Sequence, residues 1–548
     1  MDQPGILLSI RNLTVPLPSG GDRPYAVQDI SFDIHAGEIL CIVGESGSGK
    51  SMSANAIMGL LPDYLKPTNG QILFRDTDLL QQPESVLQKI RGKDISMIFQ
   101  EPLSALNPLM TVGKQVSEVM QVHNEYPGEQ RRRRVIDLFN FVGLPDPESL
   151  YDVHPFRLSG GQRQRVMIAI ALALEPALLI ADEPTTALDV TTQAQILALI
   201  ARIQKEKGMG VMFVTHDFGV VAEIAHRVAV MEKGILVEQG TVDQVLNFPS
   251  HPYTKRLIAA VPRRRFDESA QASTAPPVLE IRDLKKTYML SGGWLGKKRA
   301  IKAVDGVSFS VRSGETLGIV GESGSGKSTI GKCLLKLINI DGGQMLFKGK
   351  DIAPLTENEF RPMRNNLQMI FQDPFASLNP RHTIGKSISD GPVAGGKTRA
   401  AANIRTRELL ELVGLDASSF DRYPNQFSGG QRQRVGIARA LAMEPQILVA
   451  DESVSALDVS VQAQVLELLQ SLQEKLQIAL IFITHDLRVA AQICNKVIVM
   501  HKGRIVEYGS PSQIFDAPQT PYTQSLVAAV PGKQWIPPGS GQQVSMPS

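Results

Sequence analysis

Cysteine is scarce in this chain: only three cysteines occur among its 548 residues, at Cys41, Cys333 and Cys494. They lie too far apart in the sequence to form a CxxC metal site, and three scattered thiols do not make a disulfide framework. We therefore expect a protein that works in a reducing compartment.

Long apolar runs are also missing. No uninterrupted stretch approaches the roughly 20 apolar residues that a membrane-spanning helix needs, and the first residues, Met1–Pro4, lack the basic-then-apolar pattern of a signal peptide. The charges nearly cancel, with a formal net charge of +2, which gives no support for binding to nucleic acid. We expect a soluble, cytoplasmic protein that needs partner subunits for any role at a membrane.

Glycine, by contrast, is concentrated in one short segment that occurs twice. It follows the apolar runs Ile39–Val43 and Leu317–Val320, and it has the form GxxxxGK[ST]. In this pattern the backbone turns its N–H groups around a phosphate, the lysine reaches the outer phosphates, and the next hydroxyl ligates Mg²⁺. We call these segments the first and second cradle. Their residues are Gly44, Glu45, Ser46, Gly47, Ser48, Gly49, Lys50 and Ser51, and Gly321, Glu322, Ser323, Gly324, Ser325, Gly326, Lys327 and Ser328, extended to Thr329.

The repeat extends over nearly the whole chain. Lys50 and Lys327 are 277 positions apart (327 − 50), and His216 and His485 are 269 apart (485 − 216), so two parallel copies differ by small insertions and deletions. A chain of this length predicts more than one core. The predicted parts are a first domain at 1–262, a small and polar linker at 263–277, a second domain at 278–535 and a disordered tail at 536–548.

Apolar periodicity predicts the elements around the first cradle. Alternation predicts strands at Leu7–Val15 and Ile30–Ile34. Helical spacing predicts a helix that starts within Ser53–Leu60 and another across Glu118–Gly143. Helix-like and strand-like segments then alternate from Gln162 to Val230, which is typical of an α/β fold with a mostly parallel sheet covered by helices.

Each copy also contains an apolar run that ends in two acids, Asp182-Glu183 in the first copy and Asp451-Glu452 in the second. The run predicts a buried strand with two carboxylates at its end. The first acid can hold Mg²⁺, directly or through water, and the second can orient or activate a water against a γ-phosphate. One such pair could simply solvate a strand end, but its recurrence after each cradle favours the catalytic interpretation.

A serine and two glycines precede a predicted helix in each copy and make a second helix terminus that can face an anion. The residues are Ser159, Gly160, Gly161 and Gln162, and Ser428, Gly429, Gly430 and Gln431. With the cradle and the double-acid strand, this run resembles the signature of ABC-type ATPases. The resemblance implies an α/β fold, a P-loop NTPase (ABC-type) core with antiparallel β and α-helical subdomains, duplicated in tandem. It also implies hydrolysis of ATP with Mg²⁺.

The resemblance further implies roles for single residues. Gln100 and Gln372 are similar to the glutamine that senses Mg²⁺ and the attacking water. His216 and His485 are similar to the histidine on the γ-phosphate, and each follows the second acid of its copy by 33 positions (216 − 183 and 485 − 452). The implied catalytic residues are Gln100, Glu183, His216, Gln372, Glu452 and His485, and the implied Mg²⁺ ligands are Ser51, Gln100, Asp182, Ser328, Gln372 and Asp451.

Two further expectations concern how the nucleotide is enclosed. Tyr25 is the candidate ring for stacking on adenine, whereas Ile301 takes the aligned place in the second copy, where Tyr288 or Trp294 would have to substitute. In ABC ATPases the signature of one domain closes over the nucleotide held by the cradle of the other. The resemblance therefore implies two head-to-tail sites, Gly44–Ser51 with Ser428–Gln431 and Gly321–Ser328 with Ser159–Gln162.

The segments after the glutamines narrow the family. Glu101–Pro108 and Asp373–Pro380 resemble the Q-[DE]-P-x-x-[AS]-L-N-P run of ATPases that power oligopeptide, dipeptide and nickel importers, and so do the endings His251–Pro262 and Thr520–Pro531. The first copy looks like the D-type subunit and the second like the F-type. Fused pairs are similar to the Yej-type peptide (and microcin C) and glutathione-importer ATPases. Many relatives carry a cysteine-rich iron–sulfur element after this ending. No cysteine occurs there, so no iron–sulfur cluster is expected.

This resemblance implies ATP-driven import of peptides at the cytoplasmic face of the bacterial inner (plasma) membrane. The implied partners are two integral-membrane permease subunits, docked beside Gln100 and Gln372, and an extracytoplasmic solute-binding protein, with no nucleic acid. Nickel, glutathione or another small solute stays open as cargo. The alternative from another class is a soluble tandem ABC ATPase acting on ribosomes, but the linker is too short for the charged helix typical of that class. A DNA-repair ABC protein would need zinc-binding cysteines, which the chain lacks.

Overall fold

The computed structural model describes residues 5–18, 23–186, 188–262, 276–292, 296–373, 377–455 and 457–538, without the side chains of 290–299. Trp294, most of the predicted linker and the tail from 539 onward therefore lie outside the described residues. The chain divides into two compact units. The first comprises Met1–Leu188, Thr192–Val261 and Pro531–Ser548, and the second Asp189–Thr191 and Pro262–Val530. The domain boundaries drawn from the sequence stay a prediction.

The described elements of the first unit alternate between strands and helices. The strands are β1 (Ile6–Pro16), β2 (Tyr25–His35), β3 (Ile39–Val43), β4 (Asn69–Phe74), β5 (Thr77–Asp78), β6 (Ile95–Ile98), β7 (Leu178–Asp182), β8 (Gly210–Thr215), β9 (Arg227–Glu232) and β10 (Ile235–Thr241). The α-helices are α1 (Lys50–Ile57), α2 (Glu84–Ile90), α3 (Pro102–Ala105), α4 (Val112–Val122), α5 (Gly128–Phe141), α6 (Pro147–Leu150), α7 (Gly160–Ala171), α8 (Val190–Lys207), α9 (Phe218–Ile224), α10 (Val242–Asn247) and α11 (Pro252–Ala259).

The second unit repeats this order. Its described strands are β11 (Leu279–Gly292), β12 (Gly296–Val311), β13 (Thr316–Val320), β14 (Gly342–Phe347), β15 (Lys350–Asp351), β16 (Leu367–Ile370), β17 (Ile447–Asp451), β18 (Ala479–Ile483), β19 (Lys496–His501) and β20 (Arg504–Gly509). Its described α-helices are α12 (Lys327–Leu334), α13 (Glu357–Phe360), α14 (Ile384–Ala394), α15 (Arg399–Leu412), α16 (Gly429–Leu441), α17 (Val459–Leu476), α18 (Leu487–Ile493), α19 (Pro511–Asp516) and α20 (Pro521–Ala528).

Two sheets build each unit. In the first unit an antiparallel sheet of order β2-β1-β4-β5 accompanies a six-stranded sheet of order β10-β9-β3-β8-β7-β6. The larger sheet is parallel except for its β9–β10 edge pair. The second unit repeats both sheets, as β12-β11-β14-β15 and β16-β17-β18-β13-β19-β20. The structure thus confirms the duplicated α/β fold with antiparallel and helical parts.

The central parallel strands bring the motif-bearing loops together. Every residue of β3 and β13 is buried, which explains why their sequences are almost entirely apolar, since both faces of a parallel sheet are usually covered. In the register of the first unit, Val43 pairs with Thr215 and Asp182 pairs with Val214. The loops that follow β3, β7 and β8 therefore leave one edge of the sheet, where ligands of such sheets bind.

The helix after the first cradle begins earlier than predicted. In the first unit α1 starts at Lys50 rather than at Ser53. Gly49, with φ +104°, reverses the backbone directly before the helix, so the lysine is its first residue. Gly326 has φ +107° and places Lys327 in the same position. The motif lysines are thus anchored in a helix rather than in a loop.

The segment Glu118–Gly143, predicted to be helical, is helical in the structure except for one break. The segment belongs to two helices, α4 and α5, which are separated by residues 123–127. Asn124 and Tyr126 in that connection both have φ +56°, which no α-helix accommodates, and Pro127 precedes α5. The apolar residues at helical spacing, Val135, Leu138, Phe139 and Val142, all lie in α5 or at its end and therefore gave no information about the break. Among the described residues, no helix combines the length and apolar character needed to cross a bilayer.

Candidate functional site

Each cradle contains glycines that no other residue could replace without moving the backbone. A Cβ on Gly44 would lie 2.2 Å from the carbonyl oxygen of Met231, at a φ of +153°. A Cβ on Gly321 would lie 2.3 Å from the carbonyl oxygen of Met500, at a φ of +147°. At both positions the backbone is left-handed and also lies close to a neighbouring strand. Only glycine tolerates this combination. The structure therefore gives the glycine pattern a physical cause.

The motif lysines are buried and point back across their own loops. The Nζ of Lys50 donates to the carbonyl oxygens of Gly44 and Glu45, at 2.8 and 2.9 Å. The Nζ of Lys327 donates to the carbonyl oxygens of Gly321 and Glu322, at 2.7 and 2.8 Å. Burial lowers the pKa of Lys327. An ammonium held by carbonyl groups in a buried loop is well placed to bind phosphate oxygens.

The serine that directly follows each motif lysine is hydrogen-bonded to the aspartate at the end of the double-acid strand. Ser51 Oγ donates to Asp182 Oδ1 at 2.9 Å, and Ser328 Oγ donates to Asp451 Oδ1 at 3.0 Å. Burial raises the pKa of both aspartates, against the effect of the serine hydrogen bonds. A hydroxyl next to a carboxylate is an oxygen pair that suits Mg²⁺, which usually completes its shell with phosphate oxygens and waters.

These pairs fit Mg²⁺ only together with a phosphate ligand. Among the described residues, no group of three or more His, Cys, Asp or Glu side chains could hold a metal ion by itself. The metal would supply charge neutralisation at the phosphates. The residues present are consistent with Mg²⁺ that arrives with a nucleotide.

Glu183 lies in a polar cluster at the same edge of the sheet. Its Oε2 accepts from Gln100 Nε2 at 3.1 Å and from Thr186 Oγ1 at 3.0 Å, and its Oε1 is 3.3 Å from His216 Nδ1. Burial favours the neutral acid, but the hydrogen bond and charge of His216 outweigh it and lower the pKa of Glu183 to about 2. The carboxylate is therefore ionised at neutral pH and able to orient a water.

The second unit builds the same cluster around Glu452. Gln372 Nε2 donates to its Oε2 at 2.7 Å, and His485 Nδ1 lies 3.5 Å from its Oε1. Burial again opposes ionisation, and the hydrogen bond and charge of His485 lower the pKa of Glu452. Glu183 and Glu452 also have φ values of +46° and +45°. Such strained backbone in a non-glycine residue is typical of functional sites.

The signature residues form helix N-termini, as predicted. Ser159 Oγ accepts from the Gln162 N–H at 3.3 Å, and the Gln162 side chain accepts from the Ser159 N–H at 2.9 Å, a capping box at the start of α7. Ser428 and Gln431 make the same box at the start of α16. The capping contacts of each signature are with its own helix. Their part in nucleotide binding stays a prediction.

The adenine-stacking residues also stay a prediction. Tyr25 is the first residue of β2 and pairs with Pro16 of β1. In the second unit Tyr288 pairs directly with Ile301, the residue aligned with Tyr25, across the β11–β12 hairpin. The exposed ring of Tyr288 thus lies next to Ile301, the position at which the second copy has no aromatic residue.

Three contacts with the cradles were not predicted from the sequence. Arg23 donates a hydrogen bond to the carbonyl oxygen of Gly47. The hydroxyls of Tyr253 and Tyr522 accept hydrogen bonds from the backbone N–H of Glu45 and Glu322, at 3.1 and 3.3 Å. The sequence did contain a signal for the tyrosines, because they recur in the paired endings His251–Pro262 and Thr520–Pro531. That repetition indicated the family but not the contact with the cradle.

The comparisons with known proteins agree with this geometry. A family model described as ABC transporter matches residues 27–186 and 304–455, more than half of the chain. The chain therefore belongs to the ABC transporter family, and it is an ATPase whose ATP-binding part occurs twice. A second model, described as the C-terminal region of oligopeptide/dipeptide transporters, matches residues 237–286 and 506–537.

The relatives share the tandem arrangement over nearly their whole length. The chain is 47% identical over 527 residues to the peptidoglycan transport ATP-binding protein YejF of Agrobacterium fabrum, covering 95% of this chain and 96% of that protein. It is 46% identical over 562 residues to the glutathione import ATP-binding protein GsiA of Escherichia coli K12, covering 96% and 90%. Among solved structures, the ATP-binding cassette MJ0796 bound to ADP and Pi matches with a TM-score of 0.40 and 32% identity, over 43% of this chain and 98% of that one. The tandem-ATPase family inferred from the motifs is confirmed.

Proposed function

We propose that this chain is the ATP-hydrolysing subunit of an importer for peptides. It would act on the cytoplasmic face of the bacterial inner membrane, with two integral-membrane permease subunits and an extracytoplasmic solute-binding protein. The observation that carries the proposal is the oligopeptide/dipeptide transporter region that follows each of the two ATPase parts. Relatives named for glutathione import and peptidoglycan transport support import as the direction and a small peptide-like cargo. The comparisons give no support to an ATPase acting on ribosomes.

The polar clusters support a mechanism for the two ATP sites. Lys50 and the first cradle would bind the phosphates, with Ser51 and Asp182 on Mg²⁺. His216 contacts Glu183 and keeps the pKa of that carboxylate low. If His216 turns to the γ-phosphate when ATP binds, Glu183 loses this stabilisation and becomes a stronger base for the attacking water. Glu452 and His485 would act in the same way in the second copy.

Closure of each site would require the other copy. We propose that the helix terminus at Ser428–Gln431 completes the site of Gly44–Ser51, and that Ser159–Gln162 completes the site of Gly321–Ser328. Each copy has an intact cradle, a catalytic glutamate and a capped signature helix. Each copy can therefore supply both halves of a site, which supports this pairing. ATP would join the two copies and hydrolysis would release them, which converts a phosphate contact into domain motion.

The proposal is tested by purifying the tagged chain from solubilised membranes of its own cell and identifying the integral-membrane proteins that copurify with it. We expect a stable complex in detergent whose ATPase activity, after reconstitution with the solute-binding protein, increases with defined short peptides. Glutathione and Ni²⁺ serve as competing cargos in the same assay. Stimulation by Ni²⁺ alone would contradict peptide import, and copurification with ribosomes in the absence of a permease would exclude import altogether.

The segments that follow the two glutamines differ at one exposed position, although Phe99 and Phe371 before the glutamines are exposed alike. Leu109, nine positions after Gln100 (109 − 100), is 87% exposed, and Phe99 and Leu103 are exposed with it. The residue nine positions after Gln372 (381 − 372) is Arg381, which is also exposed. Large apolar side chains that are exposed close together in the sequence can mark a protein interface. We propose that the first copy binds an apolar permease helix and the second a more polar one.

Leu109→Asp is expected to release one permease from the purified complex, because the substitution places a charge in an apolar interface. Arg381→Glu is expected to weaken retention of the other permease. Both variants should bind ATP as the unaltered chain does, since neither residue touches a cradle. Tyr64→Asp, at an exposed residue elsewhere on the first unit, is the control and should retain both permeases. Loss of the same permease from both variants would contradict the assignment.

A further inference from the structure

The C-terminal region of each copy reaches into the phosphate cradle through a tyrosine. We propose that Tyr253 and Tyr522 are positioning residues of the two ATP sites. Each hydroxyl fixes the peptide unit that supplies the carbonyl partner of the cradle lysine. The C-terminal region shared with oligopeptide/dipeptide transporters, which matches residues 237–286 and 506–537, would thereby be a working part of the ATPase. The inference depends on the proposal that the cradles hold ATP.

One peptide unit in each cradle is held at both ends. In the first unit the peptide between Gly44 and Glu45 donates its N–H to Tyr253 Oη at 3.1 Å, and its carbonyl oxygen accepts from Lys50 Nζ at 2.8 Å. In the second unit the corresponding distances, from Glu322 N to Tyr522 Oη and from Lys327 Nζ to the Gly321 carbonyl oxygen, are 3.3 and 2.7 Å. Rotation of this peptide would move the carbonyl away from the lysine. The tyrosine opposes that rotation.

Each tyrosine is fixed by a glutamate on the preceding strand. Glu238 of β10 accepts from the N–H groups of Ser250 and His251, at 2.6 and 3.1 Å, and so orients the start of α11. Glu507 of β20 accepts from the N–H groups of Gln519 and Thr520, at 2.8 and 3.2 Å, at the start of α20. The tyrosine is the second residue of each helix, so the strand, loop and helix together hold its ring at the cradle.

The tyrosine hydroxyls remain protonated. Tyr253 is only 3% exposed, and burial raises its pKa, with further contributions from the carboxylates of Glu45 and Glu232. Burial likewise raises the pKa of Tyr522 to about 12. A neutral hydroxyl can accept from the cradle N–H at any physiological pH. The contact therefore does not depend on pH near neutrality.

The packing of the two rings differs, whereas the hydroxyl contact is the same. The guanidinium of Arg256 lies 5.7 Å from the Tyr253 ring centre and pairs with Glu232. The Tyr522 ring instead contacts the His501 ring, with centres 4.0 Å apart. Ring packing alone would not require the same hydroxyl–cradle hydrogen bond in both copies. The shared contact therefore points to a role at the cradle.

Tyr253→Phe and Tyr522→Phe, in the full chain, test the proposal. Protection of each cradle from hydrogen exchange is followed by mass spectrometry against the concentration of a Mg²⁺-bound, non-hydrolysable ATP analogue. Tyr253→Phe is expected to raise the concentration for half-maximal protection of the first cradle by about five- to tenfold, the effect of one lost hydrogen bond. The second cradle should change by less than about twofold. Tyr522→Phe should give the reverse pattern.

Matched controls separate positioning from general stability. Tyr64→Phe, at a residue 71% exposed, and Tyr508→Phe, at an exposed residue of β20, should leave both cradles unchanged. The melting temperature of Tyr253→Phe without nucleotide should fall by no more than about 4 °C, the effect of one lost hydrogen bond, while its increase on adding the analogue becomes smaller. Unchanged half-saturation, equal weakening of both cradles, or a melting temperature that falls by about 10 °C or more without nucleotide would each overturn the proposal.

Lys50→Ala distinguishes failure of this inference from failure of the proposed ATP site. If Lys50→Ala leaves protection of the first cradle intact, the cradle does not hold the nucleotide and both proposals fail. If Lys50→Ala removes the protection and Tyr253→Phe does not alter it, the ATP site stands and only the positioning role is wrong.

Discussion

Replacing Glu183 and Glu452 together by glutamine is expected to reduce ATP turnover by about 100-fold or more, since a positioned general base contributes about 10²–10⁴-fold. ATP binding should persist, because glutamine keeps the shape of the side chain and its hydrogen-bonding to Gln100 and His216 while losing the charge. Phosphate release measures turnover, and equilibrium binding of ATP measures the retained affinity.

The structure provides a matched control for this pair. Glu175 and Glu444 also have left-handed backbones, both with φ +54°, and occupy equivalent places in the two copies. They form exposed ion pairs with Lys207 and Lys397 instead of lining a cradle. Glu175→Gln with Glu444→Gln should keep turnover within about twofold, because exposed ion pairs contribute little to stability. Substantial ATPase activity in the Glu183→Gln, Glu452→Gln chain would refute the catalytic assignment.

Short-range patterns predicted the parts of the site that local chemistry determines. Glycines at fixed spacing, an apolar run ending in two acids and a histidine after another apolar run each belong to one strand and its following loop. Parallel strands then place these loops at one edge of the sheet, which is why Ser51, Asp182, Glu183 and His216 converge without any further signal. The fold class followed from the same alternation of strands and helices.

Contacts between distant parts of the chain could not be predicted from local sequence patterns. Tyr253 meets Glu45 across 208 positions, and no periodicity or motif predicts that pairing. The break between α4 and α5 was missed for a different reason, since the apolar spacing used for the prediction lies entirely in α5 and at its end, after the left-handed residues Asn124 and Tyr126. The predicted start of the cradle helix was late, because a loop glycine also serves as the helix boundary. In each case tertiary or backbone geometry overrode a correct local pattern.

Gly321→Ala is expected to abolish measurable ATP binding at the second cradle and to destabilise the second unit by about 2 kcal/mol or more. The added Cβ would lie 2.3 Å from the carbonyl oxygen of Met500, so the backbone has to move. Any such movement displaces the Gly321 carbonyl oxygen, which holds Lys327 Nζ at 2.7 Å. Thermal unfolding measures the stability, and hydrogen exchange of the cradle with the ATP analogue measures binding.

Gly324→Ala isolates the close approach from the cost of a left-handed backbone. Gly324 has φ +78°, and a Cβ there has no atom within 4 Å, so this substitution costs only the backbone preference, about 1 kcal/mol. Because both glycines lie in the same loop, the difference between the two variants reports the collision with Met500 together with the larger backbone strain at a φ of +147°. If Gly321→Ala binds the analogue as well as Gly324→Ala does, the lysine does not depend on the peptide that Gly321 supplies. In that case a tyrosine that fixes this peptide would have nothing to position.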